Sequence, residues 1–236
     1  MFRPLFYLFI IFLSLSFNAQ TGTICHYKIV EFKEFEIKKP DDEAHRNAIK
    51  RLNQARKATL KFDFVLEFKD SVSSFQLVDR MDNDVNMPGS AKIGLAMIGS
   101  SGEFYQNTKS GFWLKTSEAT GKKYTVQDSI DFDWVVTKET KIINGFTCFK
   151  AELPENGTIK EVWFTPQIPA SFGPLGFGGL PGLIVEVKRG TFVLSLVEIS
   201  TNQPVNIKKP DFGKLISAEK YNKMIDDMRG TFFKQD

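Results

Sequence analysis

The glycine-rich run at residues 171–184 is the stretch of this sequence that most resembles a phosphate-binding loop. It reads Ser-Phe-Gly-Pro-Leu-Gly-Phe-Gly-Gly-Leu-Pro-Gly-Leu-Ile, and backbone amides in such runs can cradle a phosphate group. Both nucleotide-binding patterns fail. The P-loop pattern counted from Gly173 needs lysine where Gly179 stands, and the dinucleotide pattern counted from Gly176 needs glycine where Pro181 stands. Each pattern must also open a helix, whereas this run leads into an apolar β segment.

The end of the same run has the composition of a tight turn. Proline fixes φ and glycine adopts positive φ, so Pro181 and Gly182 suit the two central positions of a type II turn spanning Leu180 to Leu183. The apolar residues that follow predict a strand covered on both faces. We therefore interpret the glycines as residues that permit the tight turn leading into a buried strand.

The acidic and histidine residues offer little catalytic chemistry. Asp131 and Asp133 are spaced like two carboxylates on one strand face, as in a glycosidase, but the nearby Asp128 favours a charged loop. The chain has two histidines, His26 and His45, and neither has a cysteine or second histidine at metal-ligand spacing. We therefore predict no catalytic residue, no metal and no cofactor.

The run Asp82-Asn83-Asp84-Val85-Asn86 resembles the beginning of a calcium-binding loop, because oxygen ligands occupy alternate positions. However, Met87 stands at the position of the required glycine, and Ile93 stands at the position of the closing glutamate. A solvated turn is the favoured interpretation.

The amino-terminal segment predicts export. Residues 1–19 contain one arginine, an apolar stretch of about 14 residues and a short polar exit, which is the plan of a secretory signal peptide. Cleavage after Ala19 is the preferred prediction, with Ser16 as the alternative. The apolar stretch is shorter than the roughly 20 residues of a spanning helix. We expect a periplasmic or envelope protein, with secretion as a further option, that does not span the membrane once the signal is removed.

The cysteines and the charge balance also bear on the class of protein. In an exported chain Cys25 and Cys148 can form a disulfide, and the alternative is two buried, inert thiols. Loss of Arg3 with the signal leaves 30 basic residues against 28 acidic ones. Such a balance gives no electrostatic footprint for nucleic acid, so nucleic-acid binding is not expected.

The pattern of apolar residues predicts an α+β fold that is mainly antiparallel sheet, flat or curved as a half-barrel. An amphipathic helix of about 15 residues follows Asp41 and Asp42, which suit its N-cap. Alternating strands follow it, with Asn144-Gly145 and Asn156-Gly157 as type I′ hairpin turns. A second helix is predicted at 218–229, capped by Ser217 and stopped by Gly230. We predict a β-rich domain at residues 20–207, followed at residues 208–236 by a linker and this carboxy-terminal helix. The pattern of residues 87–101 is compatible with a loop, a short helix or a strand.

Several motifs resemble those of the GLPGLI family of exported proteins of the Bacteroidota. They are Gly179-Leu180-Pro181-Gly182-Leu183-Ile184, the preceding Glu161 to Pro169 and Gly173-Pro174, and the Asn144 to Ala151 turn and strand. The family has no agreed catalytic residues, so the resemblance assigns no residue roles. It implies an envelope protein, which in some members is associated with outer-membrane receptors or transporters.

Three functional hypotheses follow from these observations. The first is a non-catalytic envelope protein that binds an outer-membrane protein or an apolar ligand. Its contact loop would consist of Phe172, Leu175, Phe177 and Leu180, unless these side chains instead tuck under the loop and cover the core. The alternatives are a periplasmic hydrolase of peptide or glycan, which would use Asp131 and Asp133, and a lipid carrier with a curved sheet.

Overall fold

The computed structural model describes residues 21–39, 41–78, 87–155 and 158–232 of the 236-residue chain. The predicted signal peptide, the Asp82–Asn86 run and the Asn156-Gly157 turn lie outside these ranges. Within them the chain forms twelve strands and three helices. In chain order they are β1 Thr21–Phe32, α1 Glu43–Thr59, β2 Asp63–Lys69, β3 Val72–Leu77, α2 Gly89–Ile98, β4 Phe104–Asn107, β5 Phe112–Ala119, β6 Lys122–Ser129, β7 Val135–Ile143, β8 Phe146–Glu155, β9 Thr158–Thr165, β10 Leu183–Arg189, β11 Phe192–Pro204, β12 Lys214–Ser217 and α3 Ala218–Phe232.

All twelve strands belong to one open sheet. Its order is β12-β6-β5-β4-β3-β2-β1-β11-β10-β9-β8-β7, so β12 and β7 are the two edges. Every pairing is antiparallel except that of β12 with β6. The prediction of a mainly antiparallel sheet is therefore confirmed.

The hairpins depend on residues that accept positive φ. Asn144 and Gly145 join β7 to β8 with φ values of 48° and 81°, which confirms the predicted type I′ turn. Thr120 and Gly121 join β5 to β6 in the same way, with φ values of 54° and 70°. Such turns match the twist of the strands that they connect.

Helix α1 begins as the sequence predicts. The side chain of Asp42 accepts a hydrogen bond of 3.0 Å from the backbone N–H of His45, which is the N-cap arrangement. Near its end, α1 packs closely against α2. A Cβ atom on Gly94 of α2 would lie 2.2 Å from the Thr59 hydroxyl oxygen, so glycine permits this close approach.

The number of helices corrects the prediction of two. Helix α2 occupies the segment that fits a loop, a helix or a strand, and its residues Ala91, Gly94, Leu95 and Ile98 form one buried stripe. Its start carries no side-chain cap, and glycine interrupts it, so the sequence contains few helix signals there. Helix α3 is also longer than predicted, because it continues through Gly230 to Phe232.

The two faces of the sheet differ in character. On one face apolar side chains of adjacent strands form the core, including Tyr27, Phe64 and Phe75, which are 0–1% exposed. On the opposite face Lys28 and Asp63 pair across β1 and β2, with Nζ and Oδ1 3.0 Å apart. This division explains the alternating apolar and polar pattern of the strands.

The carboxy-terminal segment is joined to the sheet. After β11 the chain passes through the predicted linker at 208–210 and enters β12, which pairs with β6. The hydroxyl of Thr125 donates to the Phe212 carbonyl at 3.1 Å and accepts from its N–H at 3.2 Å. Helix α3 then packs through Tyr221 against Tyr124 of β6, with ring centroids 5.8 Å apart.

Candidate functional site

The glycine-rich run forms a small buried hairpin between β9 and β10. Phe172 and Gly178 form an isolated antiparallel bridge, and the Phe177 N–H donates to the Pro174 carbonyl at 3.2 Å. The two residues between them, Leu175 and Gly176, have φ values of 59° and 80°, as in a type I′ turn. Leu175 is a buried non-glycine residue in the left-handed region, a conformation that costs about 1–3 kcal/mol and persists only when its surroundings hold it.

Polar groups of side chains distant in sequence hold this hairpin in place. The side-chain amide of Gln106 on β4, only 1% exposed, donates to the carbonyls of Gly176 and Phe177 at 2.9 and 3.1 Å. The indole N–H of Trp134 donates to the Gly178 carbonyl at 2.9 Å. Backbone groups that would be costly to bury unpaired are thereby satisfied.

The hexapeptide at 179–184 forms a tighter turn than the predicted type II turn. The Gly182 N–H donates to the Leu180 carbonyl at 2.8 Å, which closes a three-residue γ-turn around Pro181. The Leu183 N–H instead donates to the Ile168 carbonyl at 3.0 Å. A Cβ atom on Gly182 would lie 2.2 Å from the Thr165 carbonyl oxygen, so backbone crowding requires glycine here.

The residues of the predicted contact loop lie in the core. Phe172, Leu175, Phe177 and Leu180 are 2–8% exposed, and Phe172 packs against Phe68 of β2 with ring centroids 5.7 Å apart. These side chains are therefore not available as an exposed contact surface. Their placement matches the alternative interpretation, in which the loop covers the core.

The two cysteines are separate buried thiols. Cys25 on β1 and Cys148 on β8 are both free, and three strands lie between them in the sheet, whereas a disulfide needs Cα atoms within about 7 Å. Burial raises the pKa of Cys25 to about 12 and also raises that of Cys148. Both thiols are therefore poor nucleophiles at neutral pH.

The other residues singled out for chemistry do not form a catalytic group. Asp131 and Asp133 are exposed in the loop between β6 and β7, on either side of Phe132, whose ring packs 5.8 Å from Phe177. His26 lies on β1 and His45 in the first turn of α1. Across the described ranges, no three histidine, cysteine, aspartate or glutamate side chains are grouped to hold a metal.

Among the described residues, strand β7 at one edge of the sheet carries more exposed large apolar side chains than any other strand. Val135, Val136 and Ile142 are 56%, 52% and 66% exposed. Val136 pairs with Ala151 and Ile142 with Thr147, so both side chains lie on the same face of the sheet. On that face the half-buried Phe149 lies between them. The sequence pattern predicts alternating strands in this part of the chain but contains no signal that this strand is an edge.

Ion pairs on the opposite face attach β7 to its neighbours. Lys150 of β8 lies 3.0 Å from Glu139 of β7 and 2.8 Å from Glu152, and these hydrogen bonds raise its pKa. Lys141 of β7 lies 2.6 Å from Glu186 of β10 and over the ring of Trp163. The inner side of β7 is thus fixed, while its outer backbone edge faces away from the sheet.

Comparison with known proteins identifies the fold rather than an activity. A family model described as a protein of unknown function (Porph_ging) matches residues 152–186, which run from the end of β8 through the glycine-rich hairpin into β10. No curated protein matches the chain. Along the described part of the chain, no helix has both the length and the apolar character needed to cross a membrane.

Two solved structures of PNGF-II, in space groups P21 and C2, are similar to this chain. Their TM-scores are 0.52 and 0.51, at 16% and 15% sequence identity, and each match covers 87% of this chain. The same matches cover 33% and 32% of the PNGF-II chain, so this chain spans about a third of that protein. At this level of identity the similarity shows the fold alone.

Proposed function

We propose that this protein is an exported, non-catalytic binding protein of the cell envelope, and that it recognises an extended segment of a protein partner through β7. The observation that carries the proposal is a nine-residue edge strand whose Val135, Val136 and Ile142 side chains are exposed. An edge strand presents unpaired N–H and C=O groups, to which an extended peptide can add as a further strand. The apolar side chains beside them would supply specificity.

Features that prevent indiscriminate pairing support a selective role for β7. Its pairing with β8 shifts register between Val136 and Thr140, so the strand bulges in its middle. Lys138 lies within the bulge and is exposed. Bulges and edge lysines are devices that limit aggregation. They leave a regular segment at Thr140–Ile143, which is long enough for a short partner strand.

We infer further that the sheet is a curved half-barrel whose concave face is filled by the chain itself. Lys115 on β5 and Arg189 on β10 both reach Gly99, although six strand positions, about 29 Å in a flat sheet, separate these strands. The buried hairpin at 172–178 and helix α2 pack on this face. This packing favours a protein-binding role over that of a lipid carrier.

Export and family membership belong to the same proposal. Residues 1–19 have the plan of a signal peptide. The hexapeptide Gly179 to Ile184 lies within the matched segment 152–186, which supports placement in the GLPGLI family. Amino-terminal sequencing of the protein recovered from the envelope tests export: a mature chain starting at Gln20 or Phe17 is expected, and a retained Met1 would contradict it.

The binding role can be tested with a charged edge. Val136→Glu combined with Ile142→Glu places two charges on the apolar edge, whereas Val197→Glu changes an exposed residue (41%) on β11, an interior strand of the sheet. After chemical cross-linking of intact cells, the wild type and Val197→Glu should give the same adduct. The double variant should reduce that adduct about tenfold, equivalent to about 1.4 kcal/mol. Equal adduct from all three proteins would contradict the proposal.

A further inference from the structure

Three cationic side chains meet on the concave face at the end of α2. The Nζ of Lys115 on β5 donates to the Gly99 carbonyl at 3.0 Å, and a guanidinium nitrogen of Arg189 lies 3.0 Å from where a Cβ of Gly99 would stand. Lys188 of β10 pairs with Glu161 of β9. In this antiparallel register the next position on β10, Arg189, lies directly across from Lys160 on β9. Like charges facing each other across strands repel, so this arrangement costs stability.

The electrostatic environment of these groups reflects that cost. Burial, together with the nearby charge of Arg189, lowers the pKa of Lys115 and that of Lys160 to about 8. Burial also lowers the pKa of Arg189. Both lysines are half-buried. Arg189 is covered enough for its charge to be desolvated but still has an exposed part, so the group opens to solvent through Arg189. Residues that serve stability alone are seldom arranged in this way, whereas residues that bind a ligand often are.

A buried hydroxyl on the residue that follows Gly99 is the second observation. Ser100 follows Gly99 and is 1% exposed, and its Oγ has no hydrogen-bond partner among the described residues. A buried hydroxyl without a partner costs about 1–3 kcal/mol, so such groups usually meet a water or a ligand. An oxygen atom bound beside Gly99 would satisfy this donor.

Capping of α2 accounts for only part of the cluster. The Leu95 and Ala96 carbonyls at the end of α2 are already satisfied by the backbone N–H groups of Ser100 and Gly99. The carbonyl that Lys115 contacts belongs to Gly99, beyond the helix. The Lys115 ammonium therefore also lies at the negative end of the α2 dipole, which accounts for one of the three cations.

We propose that Lys115, Arg189 and Ser100, with Lys160 beside them, form a binding site for an oxyanion, namely the phosphate group of a soluble or lipid ligand. The guanidinium and ammonium groups donate charge-assisted hydrogen bonds to its oxygens, and the Ser100 hydroxyl donates a third. The Phe104 and Phe177 rings, which lie 5.1 and 5.5 Å from the two lysine nitrogens, form apolar walls. This site is independent of β7 and of the proposed partner.

Calorimetric titration of the purified chain at pH 7 and constant ionic strength tests the site, with inorganic phosphate and with phosphatidylglycerol vesicles as separate probes. Arg189→Met, Lys115→Met and Ser100→Ala alter the site. Lys188→Met is the matched control, because it removes a charge from the adjacent position of β10, whose side chain points to the opposite face and pairs with Glu161. Thermal unfolding of each variant checks that it is folded.

We expect saturable binding of at least one probe, weakened tenfold or more by Arg189→Met and by Lys115→Met and several-fold by Ser100→Ala. Lys188→Met should leave it unchanged. Binding of free phosphate alone supports a soluble ligand, and tighter binding to vesicles with the same dependence on variants supports a lipid headgroup. Failure of both probes to bind overturns the proposal. A loss of affinity in Lys188→Met equal to that in the site variants also overturns it, because the probe would then be attracted only by the net charge of the protein.

Discussion

Gly182 occupies a position where the backbone leaves no room for a side chain. Gly182→Ala would place a Cβ atom 2.2 Å from the Thr165 carbonyl oxygen, which must move to make room. We expect a loss of roughly 2–4 kcal/mol in the free energy of unfolding. Gly89→Ala is the control, because a Cβ there meets nothing within 4 Å and lies at the start of α2. Urea denaturation of both variants measures the difference, and equal effects would contradict this account of the turn.

Lys115 makes stability depend on pH with a definite sign. Its pKa of about 8 in the folded chain lies below the ordinary 10.5, so between these values the unfolded chain binds more protons. The free energy of unfolding should therefore rise with pH from 8 to 10. Lys115→Met should raise stability at pH 7 by roughly 1–3 kcal/mol and remove most of that rise, apart from the share of Lys160. Chemical denaturation at pH 7, 8, 9 and 10 gives the comparison. A variant as pH-dependent as the wild type would contradict the assignment.

The free thiols give a prediction about redox conditions. Because Cys25 and Cys148 are unpaired and buried, we expect the purified folded protein to have the same melting temperature with and without a reductant. Thiol reagents should modify both cysteines only after denaturation. A mass 2 Da below that of the fully reduced chain would reveal a disulfide and contradict the structure.

At the scale of elements, the glycine-rich hairpin depends on β4. Gln106→Leu keeps the approximate volume but leaves the buried carbonyls of Gly176 and Phe177 without their donor, at a cost of roughly 2–3 kcal/mol. The control is Gln76→Leu on the neighbouring β3, where the side chain is exposed and the change should be within about 0.5 kcal/mol. Thermal unfolding distinguishes the two. If both changes were equally mild, the hairpin would not depend on Gln106.

The elements differ in how far their sequences determine them. The α1 start and the Asn144-Gly145 turn are predictable because their causes are local, a side-chain cap and residues that accept positive φ. Helix α2 has no such local signals, and its stripe is recognisable only once α1 and the sheet lie against it. The type II turn predicted at Leu180 gives way to a γ-turn because Leu183 bonds to Ile168 instead.

At the scale of the whole molecule, contacts between distant residues decide what the sequence pattern leaves open. The Tyr27 hydroxyl donates to the Ile184 carbonyl at 2.7 Å, across 157 residues of sequence. Gln106 reaches Gly176 across 70 residues. The sequence therefore leaves open whether the aromatic residues of the glycine-rich loop are exposed or cover the core, and the fold buries them. The order of strands, and hence the edge position of β7, is likewise set by long-range pairing.

We propose that β7 pairs with a protein partner in the envelope. A photo-reactive amino acid placed singly at each position from Val135 to Ile143, and at 193–199 of β11 for comparison, tests it in living cells. We predict that most outward-pointing β7 positions give the same adduct, and that β11 positions give little of it. The mass of this adduct should exceed that of the labelled chain, because it contains the partner. Adducts in equal yield from β7 and β11, or none from β7, would contradict the claim.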